Sequence, residues 1–444
     1  MTHVWWARRD LRLDDNPALL SAQEDGPAVA VFAWTPALHF WSGRRRAHLA
    51  RVLWSLREET GGALAVRRAP AAHAVLAAAR QADATVVWAA QEYTPAGVRE
   101  QAEVAEALEA DGRELRMIGS PYAVAPGRVR KADGTPYRVF TPFRGAWREH
   151  GWRSPAGPAD PEGFAHLAPD ASDVDIDQIA AHGDSEDPLE RPHEFREARV
   201  REALEDFVGG DLEHYSEERD RPDLDSTSHL SSALAFGLVH PRTVLALTGT
   251  VDHSAARTFE SEISWREFHA DTLWHEPRAL RESLSTVVLE EDWTSGPDAD
   301  RAFMAWRDGR TGFPLVDAGM RQLASTGWMH NRVRMVVASF LVKDLHLPWQ
   351  RGADHFRRAL VDYDHSQNQL NWQWVAGTGR DASPYFRIFN PDTQAAKFDP
   401  NRRYVERWVP ELDTPAYPAP MVDHKAERET ALALNQRAKG TQGR

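Results

Sequence analysis

The sequence predicts an α/β domain, a doubly wound parallel sheet, followed by a larger all-α domain. Three observations carry this. The first 120 residues alternate short apolar runs with helical patterns. After Glu194 the short β-branched runs give way to long stretches with apolar residues three and four apart. Between the two textures lies a segment rich in Pro, Gly, Asp and Ala. At 444 residues the chain exceeds one ordinary domain. The boundaries that follow are 1–130 for the sheet domain, 131–195 for a linker and 196–444 for the helical domain.

Taken in order, the strand candidates are residues 3–7, 28–34, 63–66, 85–89 and 115–118. Helical patterns separate them. In 43–60, Leu49, Val52, Leu53 and Leu56 fall on one face, and the Ala-rich runs 71–82 and 96–109 read the same way. Strand, helix and strand in repetition give a parallel sheet, because each helix carries the chain back to the edge from which the next strand starts. No GxGxxG or Walker A pattern follows any of these strands, so the fold alone assigns no ligand. Residues 151–192 read as a connector, partly ordered at best. Residues 316–345, with Met320, Leu323, Val333, Val336, Val337, Phe340 and Leu341 at helical spacings, exemplify the long helical texture of the second half.

Composition narrows the function classes. The chain has no cysteine, which excludes disulfides, thiolate zinc sites and a catalytic thiol. Charge comes too early for a signal peptide and no run approaches a membrane span, so a cytoplasmic monomer is expected. The net charge of −13 counts against a nucleic-acid partner. Its distribution softens that objection. Acid concentrates in 170–187 and 202–225, whereas basic side chains cluster with aromatics between Asn331 and Arg403. The 5 Lys against 48 Arg fit either high-salt adaptation or a GC-rich genome.

Tryptophan is frequent, at 17 residues, and several sit among charged neighbours: Trp265-Arg266-Glu267, Trp328-Met329-His330-Asn331-Arg332 and Trp372-Gln373-Trp374. The ordinary role of such rings is core packing. Three helical spacings point elsewhere. Glu262, Trp265 and His269 share a face, as do Asn331, Arg334 and Met335, and as do Asn368 and Trp372. Each face mixes polar and aromatic groups, which suits a pocket that stacks planar rings and binds their edges. Spacing leaves the ligand open at this point.

Specific strings go further. Trp6-Ala7-Arg8-Arg9-Asp10-Leu11-Arg12 and Thr227-Ser228-His229-Leu230-Ser231 are two of them. The others run from Trp306 to Pro314, Gly327 to Met335 and Asp381 to Gln394. Together and in order they resemble the photolyase/cryptochrome family, most closely the class I cyclobutane pyrimidine dimer photolyases, over nearly the whole chain. The resemblance implies FAD bound in a folded-back form in the helical domain. Tyr215, Thr227, Ser228, His229, Leu230 and Ser231 would contact its phosphates and ribose. Arg334, Asp362, Tyr363 and Asp364 would surround the flavin, with Arg334 and Asp362 as a buried ion pair. Asn368 would face flavin N5, where its amide presents donor or acceptor by rotation.

The same resemblance implies light-driven repair of UV-damaged DNA. Trp265 and Trp374 would sandwich a flipped-out dimer, Glu262 and Asn331 would bind its base edges, and Met335 and His269 would line the pocket. Burial would let Glu262 donate as a neutral acid. Excited FADH⁻ would pass an electron to the dimer, and Trp372, Trp349 and Trp293 would relay electrons from the surface to oxidised flavin. Arg219, Arg266, Arg332, Arg387 and Lys397 would meet DNA. The sheet domain would hold an antenna chromophore, deazaflavin or folate, although Ala89 stands where the folate-type pattern has Asn. (6-4) photolyases carry histidines around 331–335; here only His330 is present, which favours cyclobutane dimers. The alternative is a cryptochrome-like blue-light photoreceptor, which Asn368 and the short stretch after Pro410 disfavour.

Overall fold

The computed structural model describes residues 2–181, 195–381 and 386–442. Residues 182–194 of the expected linker and 382–385 of the Asp381–Gln394 string lie outside them. Five strands form one parallel sheet: β1 (His3–Ala7), β2 (Ala28–Ala33), β3 (Ala65–Arg67), β4 (Val86–Ala89) and β5 (Glu114–Met117), in the order β3-β2-β1-β4-β5. Every residue of β1 and β2 is buried, as a central parallel strand covered on both faces requires. The register runs from His3 opposite Ala28 to Ala7 opposite Phe32. On the far edge, β5 alternates exposed and half-buried residues.

Through the sheet region the helices are α1 (Pro17–Gln23), α2 (Gly43–Glu59), α3 (Ala71–Gln81) and α4 (Pro95–Ala110). After it come α5 (Phe140–His150), α6 (Ile176–Ala181), α7 (Glu197–Gly209), α8 (Tyr215–Glu218), α9 (Ser231–Phe236), α10 (Pro241–Thr248) and α11 (Ser254–His275). The series ends with α12 (Pro297–Arg307), α13 (Pro314–Thr326), α14 (Asn331–Ser339), α15 (Trp349–Ala359), α16 (His365–Ala376), α17 (Pro391–Phe398), α18 (Arg403–Trp408) and α19 (His424–Gln442). No helix among the described residues is long and apolar enough to cross a membrane.

The chain forms two compact units. One comprises Met1–Tyr137, Thr141–Glu213 and Ser228–Pro277; the other comprises Arg138–Phe140, His214–Thr227 and Arg278–Arg444. The described part of the expected connector is ordered against the sheet. Val174 N donates to Val66 O at 2.8 Å, Arg68 N to Ser172 O at 2.7 Å, and Ala165 N to Ala28 O at 2.9 Å. The segment thus covers the backbone of edge strand β3, which would otherwise be open to pairing.

Residues 316–345 do not form one helix. Gly327 closes α13 in the left-handed conformation at φ +72°, and His330 caps α14 by accepting from Arg332 N. The last turn, Phe340–Asp344, is π-helical. Apolar spacing persists across the break because α13 and α14 bury their faces in the same core, built around Trp306, Phe340, Trp349, Phe356 and Trp372.

Two predictions follow from local geometry. Gly237 ends α9 at φ +79°, and a Cβ there would lie 1.9 Å from Arg9 O. Gly237→Ala should cost about 2–4 kcal/mol, read by denaturant unfolding. In the second unit, α19 is tied to the π-helical turn and its exit by His424 with Asp344, and by Glu427 with His346 at 2.8 Å. Burial pushes the Asp344 carboxyl up to about 6, against the opposing hydrogen bond from His424. A carboxyl raised in the folded state binds more protons folded than unfolded. Its contribution is therefore full below about pH 4 and lost as pH rises to about 6. Unfolding free energies measured across this window should fall by about 3 kcal/mol more in the native protein than in Asp344→Asn.

Candidate cofactor and lesion site

In the second unit the site is organised by one buried carboxylate. Asp362 follows α15, and its Oδ2 accepts from Arg334 Nη2 at 2.7 Å, while Arg334 Nε donates to Met329 O at 2.7 Å. Two contacts from one guanidinium fix the side chain that α14 projects. The Asp362 side chain is 1% exposed and its Oδ1 takes no protein donor. Asp364, two residues on, accepts from Ser366 N, Ser366 Oγ and Gln367 N as the N-cap of α16. Tyr363 is buried beside His365, its hydroxyl 3.1 Å from Nδ1. Tyr215 begins α8, with the Arg219 guanidinium 5.6 Å above its ring.

Asn368 and Trp372 lie one turn apart on α16, and both are buried. The Asn368 amide nitrogen donates to Ala353 O at 3.1 Å and to Gln369 Oε1 at 2.7 Å. Both protons are thereby committed, and the carbonyl oxygen is the group left to offer. This replaces the expected free rotation with a fixed acceptor. Trp372 packs edge-on against Trp306, with centroids 6.2 Å apart, and against Phe356 at 5.1 Å. It also fills the space left by Gly352 of α15, where a Cβ would stand 2.1 Å from Cη2. Trp349 is fully buried and donates from Nε1 to Ser283 Oγ at 3.0 Å. Trp293 is partly buried against the same core.

Trp374 is half-buried and lines a cleft of about 110 Å³ with Lys343, Phe386 and Arg387. The exposed Arg387 guanidinium lies 5.8 Å from the Trp374 ring centroid. Asn331, the first residue of α14, is exposed, and Met335 packs half-buried on the core. Lys397 is exposed, its ammonium 4.9 Å from the Phe398 ring. Arg332 departs from expectation: it is ion-paired with Asp220 and lies 4.5 Å over Phe398, so its charge is already met within the protein.

Thr227 belongs to the second unit and Ser228, His229, Leu230 and Ser231 to the first, where they lead into α9, with His229 at φ +49°. In that first unit α11 presents Glu262 and Trp265, both half-buried. Trp265 packs with Phe268 at 5.7 Å and the buried His269 at 5.5 Å. Arg266 is a correction. It is buried, donates to Pro121 O at 2.9 Å and Leu234 O at 3.3 Å, and lies 4.7 Å over Tyr122, which makes it a structural brace instead of a DNA contact.

Sequence reasoning missed Gln373, hidden between two recognised tryptophans. It is fully buried, donates to Ala279 O and Glu282 O, and accepts from Leu284 N. The signal was there: an amide flanked by indoles on a buried helix must find partners.

Residues 3–162 match the DNA photolyase family model, and residues 259–416 match the FAD binding domain of DNA photolyase. A deoxyribodipyrimidine photo-lyase of Halobacterium salinarum is 36% identical, the match covering 98% of this chain and 99% of that one. The chain belongs to the DNA photolyase family. Among solved structures, a class III photolyase from Agrobacterium tumefaciens superposes with a TM-score of 0.85 at 34% identity, covering 99% of this chain and 98% of that one. A cryptochrome from Synechocystis gives 0.84 at 25% identity, covering 98% and 99%. These likenesses establish the photolyase family and do not separate class I from class III.

The second unit carries most of this photolyase's FAD binding domain match, and the residues there fit that cofactor. A buried carboxylate oxygen without a protein donor suits a ring N–H or a ribityl hydroxyl, and the Asn368 carbonyl is a second acceptor. Replacing Arg334 by Met would strand the Asp362 charge. The variant should lose about 3 kcal/mol of stability and retain less flavin per chain, read from denaturation and the 450 nm absorbance.

Proposed function

We propose that this protein is a deoxyribodipyrimidine photolyase that repairs cyclobutane pyrimidine dimers in UV-damaged DNA with light. Support at the level of the enzyme comes from relatives of that name matched over nearly their full length. One observation carries the mechanism: a single buried helix, α16, bears Asn368 and Trp372 on one face and Trp374 on another, at the cleft. The flavin-side and lesion-side groups thus share one rigid scaffold.

The chemistry that reduced FAD supplies when bound is light-driven transfer of one electron to the dimer, whose C5–C5 and C6–C6 bonds then part, and its return. The chain's own residues bind, orient and exclude water. Arg334 and Asp362 would hold the cofactor ring edge. Asn368, its amide protons already engaged, would accept the ring N5–H of the reduced form. Trp374 and Trp265 would stack on the extruded dimer, and Glu262 and Asn331 would hold its base edges. Trp372, buried one turn from Asn368, would pass electrons to the flavin, with Trp349 and Trp293 as the further members of the relay. Arg387, Lys397 and Arg219 would meet phosphates.

Purified protein with photoreduced flavin should restore absorbance near 260 nm in a dimer-containing oligonucleotide under light and not in darkness. Trp374→Ala should weaken lesion binding by about tenfold or more, since one stacked base is worth about 1–3 kcal/mol, with flavin content unchanged. Flavin binding and DNA binding without light-dependent recovery would sink the repair reading and leave a photoreceptor.

A further inference from the structure

A second feature is built on α11, outside the roles given so far. The helix carries Glu262 and Trp265, and beyond them two buried carboxylates one turn apart, Glu267 and Asp271. Glu267 accepts from the backbone N–H groups of Ala123 and Val124 and from Trp147 Nε1. Asp271 Oδ1 accepts from Gly127 N at 2.7 Å. Gly127 has φ +81°, and a Cβ there would lie 2.9 Å from Trp274 Nε1. The chain is thus pinned to the helix at 123, 124 and 127.

From this anchor a turn projects. Lys131 N donates to Thr135 O at 3.0 Å and Gly134 N to Lys131 O at 2.9 Å. Asp133 accepts from Thr135 N and Oγ1, so the one acid of residues 124–139 is spent on the turn. Arg128, Arg130 and Lys131 are all exposed, and none forms an ion pair among the described residues. In a chain of net charge −13, where arginines are widely paired, three such exposed cations stand together on one braced turn, with Asp133 and the buried Asp271 near enough to offset part of their charge. Of the anchoring carboxylates, Glu267 is buried and held by backbone and indole donors, while Asp271 holds Gly127 through Oδ1 and faces His275 at 3.8 Å.

We propose that the turn bearing Arg128, Arg130 and Lys131 is a phosphate clamp for duplex DNA flanking the lesion. Its spacing is set by α11. From Trp265 to Asp271 is about 9 Å of helix axis, or two to three base pairs at about 3.4 Å each. The clamp rests on the repair reading for its partner, and it adds a footprint at a fixed offset from the stacked base. It carries no sequence information, because phosphate contacts fix register and orientation alone.

The test uses the full chain with bound FAD and a fluorescent lesion-bearing duplex of about two helical turns, titrated across a range of salt. The variant R128S/R130S/K131S is compared with R80S/R99S/R116S, which makes the same charge change at exposed arginines of α3, α4 and β5. Each phosphate contact contributes about 0.9 to the slope of log Kd on log salt. The clamp variant should lose about 2–3 from that slope and bind at least tenfold more weakly at low salt, on damaged and undamaged duplex alike. R128K/R130K should keep the slope. Light-driven repair of a dimer in a single strand of about five nucleotides should stay within twofold of the native rate. An unchanged slope, or equal losses in both triple variants, overturns the clamp. Because the slope is also read on undamaged duplex, failure of lesion repair in the native protein would refute the repair reading separately.

Discussion

Everything the second unit does depends on how α16 is held. Gln373 sits on that helix with no exposure, and its single amide ties α16 to residues 279–284 by donating twice and accepting once. A buried amide left unpaired costs more than a paired one returns, so the three bonds act together. At the other end Asp364 caps the first turn through Ser366 and Gln367. With both ends fixed, Asn368, Trp372 and Trp374 inherit their directions from the helix itself. The Arg334–Asp362 pair then sets the loop from which α16 starts. Removing either partner would be felt by Asn368, Trp372 and Trp374 together.

Much of the fold was legible because burial imposes simple patterns. Strands β1 and β2 read as unbroken apolar runs since a parallel sheet hides both faces. The long helical texture after Glu194 was read correctly as helix but not as separate helices. Met320 and Val336 keep helical spacing across Gly327 only because both point into one core. The connector was under-read for a different reason. Pro and Gly indicate turns, whereas the bonds that join 165, 172 and 174 to Ala28, Arg68 and Val66 are backbone bonds that leave no side-chain trace.

At the site, the motif strings located the right helices, and the physics of single residues then sorted them. Arg266 and Arg332 look like DNA contacts by charge alone. Packing shows Arg266 bracing two carbonyls and Arg332 neutralised by Asp220. Asp364, which the resemblance sets beside the flavin, also caps α16 through its Oδ1. Such outcomes cannot be read from spacing, because the same charge is spent inside the protein at one position and left for a partner at another. Arg334 was legible because it lies in the Gly327 to Met335 string and the resemblance pairs it with Asp362, a pair the structure forms.

The contact between Gly352 and Trp372 has an evolutionary corollary. The separation of α15 and α16 is set there by a missing atom, so the two positions are not free to drift independently. Any side chain at 352 collides with the indole, while a smaller ring at 372 leaves a void that an added methyl could fill. Of the two orders in which such a pair can change, shrinking the ring first removes the closest clash, after which the end of Leu341, 2.6 Å from the added Cβ, must still give way. That intermediate has already given up the indole, and the backbone of α15 is thereby locked to the side chain that α16 carries at 372.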